Sequence, residues 1–340
     1  AGVKTKRVVF FTMVRHPVRP GGEHLSVGAA IEAMRDDIGM VPWQRGRSSL
    51  ETLQMSSLRG FCASDASPED KVKAAAELSF GLKQGGSMRR NVWFSCGAAS
   101  AVAAKIAIEK YGNEVEVLYC DTLATEHPDN ARFFVEVQRW IGKEIKVLKS
   151  YRFSDIDDVF EKTRFMAGPK GARCTAELKK LPRVVYQRPD DIHIFGYTAD
   201  EQRRADEFEE RNQELHVEWV LIREGIKKED CFARLRAAGI AVPLMYSLGF
   251  DHNNCLGCVK ATSAGYWNRT RRLFPEVFER RAKQSRLIGA KLVRIRLPGD
   301  PPSREAKRHY LDELPPDADA PDDDIECGPV CQLAKPEDLS

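Results

Sequence analysis

NVWFSCGAASAVAAKIAIEKYGNEVEVLYCD, Asn91 to Asp121, carries the reading of the fold. An apolar run (Asn91–Cys96) gives way to a turn of small residues. The alanine-rich ASAVAAKIAIEKYG follows, expected as an amphipathic helix stopped at Gly112, and then a second apolar run, VEVLYCD (Val115–Asp121). Strand, helix, strand in that order needs a crossover, and a crossover makes the strands parallel. The alternation continues. PDNARFFVEVQRWIG reads as a second helix, opened by Pro128 and closed by Gly142. EIKVLKS (Glu144–Ser150), DIHIFGYT (Asp191–Thr198) and VEWVLI (Val217–Ile222) read as further strands. The expected fold is α/β, a Rossmann-like doubly wound parallel sheet with a cysteine-bearing C-terminal region. Right-handed crossovers put ligand-binding turns at the carboxyl ends of the strands, where Cys96–Ser100, Asp121–Thr122 and Gly196–Arg204 fall.

With 30% charged and 42% hydrophobic residues over 340 positions, the chain has the makeup of a soluble globular protein with a substantial core. A net charge of +3 is too small to imply nucleic-acid binding by itself, but it hides an asymmetry. Leu311–Glu326 holds eight acidic residues and no basic one, with Pro315, Pro316 and Pro321, and is expected to be a solvated, poorly ordered tether. No apolar run is long enough to span a membrane. Nine cysteines without a secretory signal point to a reducing compartment, so the expected location is cytoplasmic. Residues 1–87 are poorly patterned, either an extension ahead of a natural start at Met88 or a small accessory domain, and take no function. Residues 88–300 form the regular domain, and 301–340 an acidic flexible tail carrying ECGPVC.

In SCGAAS, Ser95, Gly97 and Ser100 have the spacing to wrap an anion: Gly97 lets the backbone approach, the hydroxyls donate, and the next helix offers its first amides. An ordinary tight strand-to-helix turn looks the same. Neither the dinucleotide fingerprint nor the Gly-Lys-Ser/Thr phosphate loop is present. Asp121, at a strand end, suits a ribose or adenine contact, help with Mg²⁺, or a plain turn cap. Glu201 and Arg204 lie three apart on one helix face, as in a surface ion pair. His193 alternates with isoleucines and reads as structural. Cys62, Cys96, Cys120 and Cys231 stand alone and read as buried, inert thiols. Lys260–Arg286, basic with Tyr266 and Trp267, suits either a solvated amphipathic helix or a contact to a phosphorylated or nucleic-acid substrate.

These residues also resemble a family. SCGAAS looks like the SGGxDS pyrophosphate loop of the adenine nucleotide α-hydrolase-like enzymes. CDTLATEHPDNARFF resembles that group's second-strand segment, an Asp-Thr followed by an acidic residue and proline. GYTADEQRRADEF is similar to the later Gly…Glu…Arg segment of the sulfonucleotide reductases. IECGPVC reproduces, with Glu326, Cys327 and Gly328, the Glu-Cys-Gly-x-His ending whose cysteine is the nucleophile in the phosphoadenosine phosphosulfate (PAPS) reductase-like family. Iron–sulfur members carry a Cys-Cys pair and, further on, CxxC; Cys174 and Cys255–Cys258 stand about there. The resemblance runs from about residue 91 to 331, with departures: Ala99 replaces the loop aspartate, Arg173 one cysteine of the pair, Val330 the final histidine, and Thr198 an arginine after Gly196.

The resemblance implies a nucleotide site of Ser95, Gly97, Ser100, Asp121, Thr122, Gly196, Glu201 and Arg204, taking ATP or PAPS, with Mg²⁺ as a companion of the phosphates. It implies Cys327 as catalytic nucleophile and a thiol electron donor as partner. Cys174, Cys255, Cys258 and Cys331 can supply four thiolates for a [4Fe–4S] cluster or, alternatively, zinc. Equally, Cys327 is the fourth ligand and no nucleophile exists. The implied activity is sulfonucleotide reduction. Two rivals share the same residues: an ATP-dependent sulfur-transfer or adenylating enzyme acting on tRNA or DNA, and a non-catalytic nucleotide- or metal-binding module.

Overall fold

Five strands pair in parallel in the computed structural model, which describes residues 89–168, 171–296 and 306–321. They are β1 (Arg90–Trp93), β2 (Val115–Cys120), β3 (Ile145–Leu148), β4 (Ile192–Ile194) and β5 (His216–Glu218), in the order β3-β2-β1-β4-β5. The expectations for residues 1–87, including Cys62, and for Cys327 and Cys331 lie outside the described residues.

Side chains alternate between the two faces of the sheet, as a pleated strand requires. Val92, Val115, Val117, Tyr119 and Ile194 enter one apolar cluster; Trp93, Leu118, Cys120 and Phe195 enter another on the opposite side. Val92 pairs in register with Val117 on one side and Ile194 on the other, so the centre of the sheet is apolar on its first face. That face is covered by α1 (Ala98–Tyr111) and α2 (Asp129–Ile141). Phe133, Val137 and Ile141 recur every four residues as the buried stripe of α2, which ends at Gly142 with φ 69°. The first helix departs from expectation. Ala98, Ser100–Ala104, Ile106 and Ala107 are buried all round, so α1 is a core helix rather than an amphipathic one. Its alanines are what let the sheet and α4 (Lys228–Ala237) both pack closely on it.

VEWVLI also divides differently. The strand stops at Glu218, and Val220–Arg223 is a helical turn whose Val220 and Leu221 join the first cluster. Short apolar runs do not distinguish a strand from a buried helical turn.

A further apolar cluster forms among α3 (Ile156–Thr163), the NNCLGC loop, α5 (Ala264–Leu273) and α6 (Pro275–Ile288), with Phe160, Trp267 and Phe278 at its centre. The first part of the acidic stretch belongs to it, contrary to the tether expected. Leu311 and Leu314 are buried, Asn268 Nδ2 donates to the Pro315 and Ala318 carbonyls, and Asp312 and Glu313 pair with Arg286. Burial of two leucines and pairing of the acids outweigh solvation there. No helix among the described residues is long and apolar enough to cross a membrane.

Candidate functional site

The strand order sets where a site falls. From β1 the chain moves outward through β2 and β3, then returns to the other flank of β1 for β4 and β5. The connections leaving β1 and β4 diverge, and such a reversal opens a crevice at the carboxyl ends of the two strands. The turns at that place are Phe94–Gly97 and Phe195–Thr198.

After β1, the Phe94 amide extends the pairing to the Leu118 carbonyl at 2.8 Å, and the chain then tightens. Ser95 N–H donates to Ser100 Oγ at 3.1 Å, the two hydroxyls stand 3.2 Å apart, and Ser100 Oγ donates to the Gly97 carbonyl at 2.9 Å. Cys96, between them, has φ 59°. Gly97 caps α1 without a side-chain bond, and the first turn contains no acidic residue. The amide of Ala98 donates to the Tyr246 hydroxyl, whose burial pushes it up to about 12. A Cβ on Gly97 would lie 3.5 Å from Tyr246 Oη, 3.6 Å from Ser95 Oγ and 4.0 Å from Ser100 Oγ. Three hydroxyls and the amino end of a long helix thus surround the space that glycine leaves open. Donors and the positive end of the helix dipole suit an anion there.

Packing alone already requires glycine at 196. A Cβ on it would come within 2.5 Å of Ser100 N and 2.6 Å of Ser100 Cα. The turn after β4 therefore presses on the first turn of α1, and glycine is the residue that permits it. Between the two glycines, Gly196 is the one that packing demands.

Asp121 is half-buried, its Oδ2 3.7 Å from Lys149 Nζ. Thr122 is buried and turned away from solvent: its Oγ1 donates to Glu126 Oε1 at 2.6 Å. Glu201 Oε2 accepts from Thr198 N and Oγ1 at 3.0 and 3.1 Å, while its other oxygen pairs with Arg204. That carboxylate closes a capping box with Thr198 over the short helical segment Ala199–Glu201, and Arg204 also lies over the Tyr197 ring at 5.0 Å.

The thiols divide sharply. Cys96, Cys120 and Cys231 are buried, and burial raises all three, Cys120 and Cys231 to about 12, which keeps them protonated and inert. Cys255 and Cys258 are buried too, but in a turn fixed from every side. Leu256 N–H donates to the Thr125 carbonyl at 2.9 Å, Cys258 N–H to Tyr266 Oη at 2.7 Å, and Arg281 Nε to the Gly257 carbonyl at 3.2 Å. Gly257 has φ 63° and lies so close to Val277 that a Cβ would meet it at 2.8 Å. Thr125 Oγ1 stands 3.6 Å from Cys255 Sγ. Cys174 packs against the same apolar cluster. Among the described residues, no three His, Cys, Asp or Glu side chains are grouped to hold a metal ion. The CxxC turn is a preorganised two-thiol element, and both candidates for a fourth ligand lie beyond the described residues.

Several participants had no signal in the sequence. Tyr246 lies in a segment without periodicity. Lys179 and Lys180, both largely buried, follow Cys174, and Lys179 is close enough to Cys96 and Cys120 to lower their thiols electrostatically, against the larger effect of burial. Asn130 and Asn253 are buried amides that join the loops after β1 and β2 to the CxxC segment. His193 is structural as expected: it accepts from Trp93 Nε1 at 3.0 Å, and burial lowers it to about 3. In the basic run, Tyr266 and Trp267 are core residues rather than a stacking surface, and Arg271, Arg281 and Arg286 bond to carbonyls or carboxylates. No family model and no curated protein matches the chain.

Proposed function

We propose that the chain is a PAPS reductase-like enzyme of the adenine nucleotide α-hydrolase-like group, with a Rossmann-like doubly wound sheet. It binds an adenine nucleotide at the turn after β1 and carries out cysteine-dependent sulfur chemistry. The observation that carries this reading is the hydroxyl-lined space at Gly97, at the amino end of α1, in the crevice between β1 and β4. Ser95, Ser100 and the first amides of α1 would hold the phosphate or sulfate oxygens. Lys179, which acts electrostatically on Cys96, and Arg204 would supply positive charge around it.

In this reading Cys327 is the nucleophile. Its thiolate attacks the sulfonucleotide sulfur, the nucleotide departs with the electrons of the S–O bond, and a thiol donor then releases the sulfur as sulfite. The buried, raised thiols of Cys96, Cys120 and Cys231 are poor nucleophiles by comparison. Cys255 and Cys258 would offer the two thiolates of their rigid turn to a [4Fe–4S] cluster or zinc; Cys174, not grouped with them in the structure, and Cys331 would have to be drawn in to complete the set. The bound group would supply charge beside the nucleotide and rigidity to the segment.

The test is sulfite release from PAPS by anaerobically purified protein with a dithiol, alongside its iron content. Cys327→Ser abolishes turnover and keeps the metal, whereas Cys255→Ser loses the metal. Metal lost equally from both variants makes Cys327 a ligand and favours the ATP-dependent sulfur-transfer reading.

A further inference from the structure

The hydroxyl-lined loop holds one residue against its backbone preference. Cys96, at φ 59°, occupies the left-handed region that glycine takes freely and a side chain does not. Such a residue persists where its surroundings over-determine it. Its side chain is fully buried, and its Sγ donates to the Asn130 carbonyl at 3.6 Å. Its own carbonyl accepts from Asn253 Nδ2 at 2.7 Å, a bond that acts directly on the strained backbone.

Asn253 is itself anchored. The same amide donates to Asn130 Oδ1 at 2.9 Å, Asn130 Nδ2 donates to Glu126 Oε2 at 2.7 Å, and Thr122 Oγ1 reaches the other oxygen of Glu126 at 2.6 Å. All of these residues are buried. Buried amides and carboxylates linked this way form a rigid network, because each unmade bond would leave a desolvated group. Asn253 also stands two residues before Cys255. The cysteine segment thus reaches back to a loop 157 residues away in sequence and grips its carbonyl.

We propose that Asn253 is a positioning residue of the anion cradle. By holding the Cys96 carbonyl it keeps Cys96 left-handed, and so aims Ser95 and the first amides of α1 at the bound phosphate. This role rests on the reading of that loop as a nucleotide site. It gives the NNCLGC segment a second task besides its thiols: setting the shape of the loop that recognises the nucleotide.

Rescue by glycine tests it in the full-length chain. Asn253→Ala weakens ATP binding, read by calorimetry, about tenfold, the factor one lost buried hydrogen bond gives. It also speeds exchange of the Ser95 amide, bonded to Ser100 Oγ, by a similar factor of about ten. In the Cys96→Gly background the same substitution costs less than about threefold in both readouts, because glycine holds the left-handed conformation unaided. If Asn253→Ala does not fold, the comparison is read with Asn253→Leu, which keeps the volume and removes the donor. Equal losses in the two backgrounds overturn the proposal, since a residue that only fills space is not rescued by a backbone change 157 positions away. Rescue of amide exchange in a chain that binds no ATP upholds the hold of Asn253 on the loop and sinks the nucleotide reading alone.

Discussion

The sheet and the cysteine layer are held together by different physics. Around β1, β2 and α1 the interior is valine, alanine, isoleucine and phenylalanine at strand and helix spacing, and stability comes from many small apolar contacts. Around the CxxC turn, buried apolar side chains share the interior with single polar anchors. Arg281, wholly buried, bonds the Gly257 carbonyl, Asp157 and Gln284 at once; Asn268 grips two carbonyls; Tyr266 holds the Cys258 amide. A periodic core tolerates the loss of one contact, whereas a layer of irregular segments depends on each anchor.

The largest effect should come from breaking the principal anchor. Arg281→Met leaves the Gly257 carbonyl without its donor and takes the buried cation from Asp157, which keeps only the more exposed Arg280 and Gln284, at a cost of about 3–5 kcal/mol. The denaturation midpoint reads the loss. Amide exchange should show it concentrated at Leu256 and Cys258, with Val117 and Leu118 in β2 little affected. A loss spread evenly over both regions would erase the distinction between them.

The sequence was legible where the physics is periodic. Strands β1 to β3 and helix α2 were found because apolar residues recur at periods that one strand or helix dictates, α1 because its alanine-rich composition lies between two strands, and Gly112 and Gly142 mark real helix ends with positive φ. It was less legible where a residue's role depends on a partner far along the chain. Gly97 and Gly196 look alike in a sequence; only the approach of the β4 turn to Ser100 distinguishes the glycine that packing demands. Tyr246 reaches the first amide of α1 from a non-periodic segment, and Asn253 reaches Cys96 from beside the CxxC. The acidic stretch misled because composition predicts solvation, while Leu311, Leu314 and the Arg286 pairs decide the outcome for its first half.

The second comparison sets those glycines against each other. Gly196→Ala drives a Cβ into the backbone of Ser100 and should cost about 3 kcal/mol, as overpacking against an immobile neighbour does. Gly97→Ala meets only ordinary contacts and should cost less than about 1 kcal/mol, mostly through a poorer helix cap. Equal midpoints for the two variants would remove the close approach of β4 to α1 from the account.

A smaller effect separates the two regions by pH. Burial alone would raise Asp157, but Arg281 and Gln284 beside it hold its carboxyl below the usual range. A group lowered on folding contributes stability that is full above the ordinary aspartate value of about 3.9 and is lost as pH falls through the folded value. On acidification, exchange in β2 should rise through its own lowered carboxylate, Glu116, and exchange at Leu256 and Cys258 through Asp157. Asp157→Asn should flatten the pH dependence at Leu256 and Cys258; a slope unchanged in the variant would assign it to other carboxylates.

If the space at Gly97 receives the phosphate of a nucleotide, calorimetric titration with ATP and with PAPS will show it. The full chain should bind at least one of them saturably. Ser100→Ala should weaken that binding by about 1–2 kcal/mol, one charge-assisted hydrogen bond. Gly97→Val, whose side chain fills the space among Tyr246, Ser95 and Ser100, should abolish it with the fold retained. Unchanged affinity in folded Gly97→Val would contradict the account and remove the turn after β1 from the site.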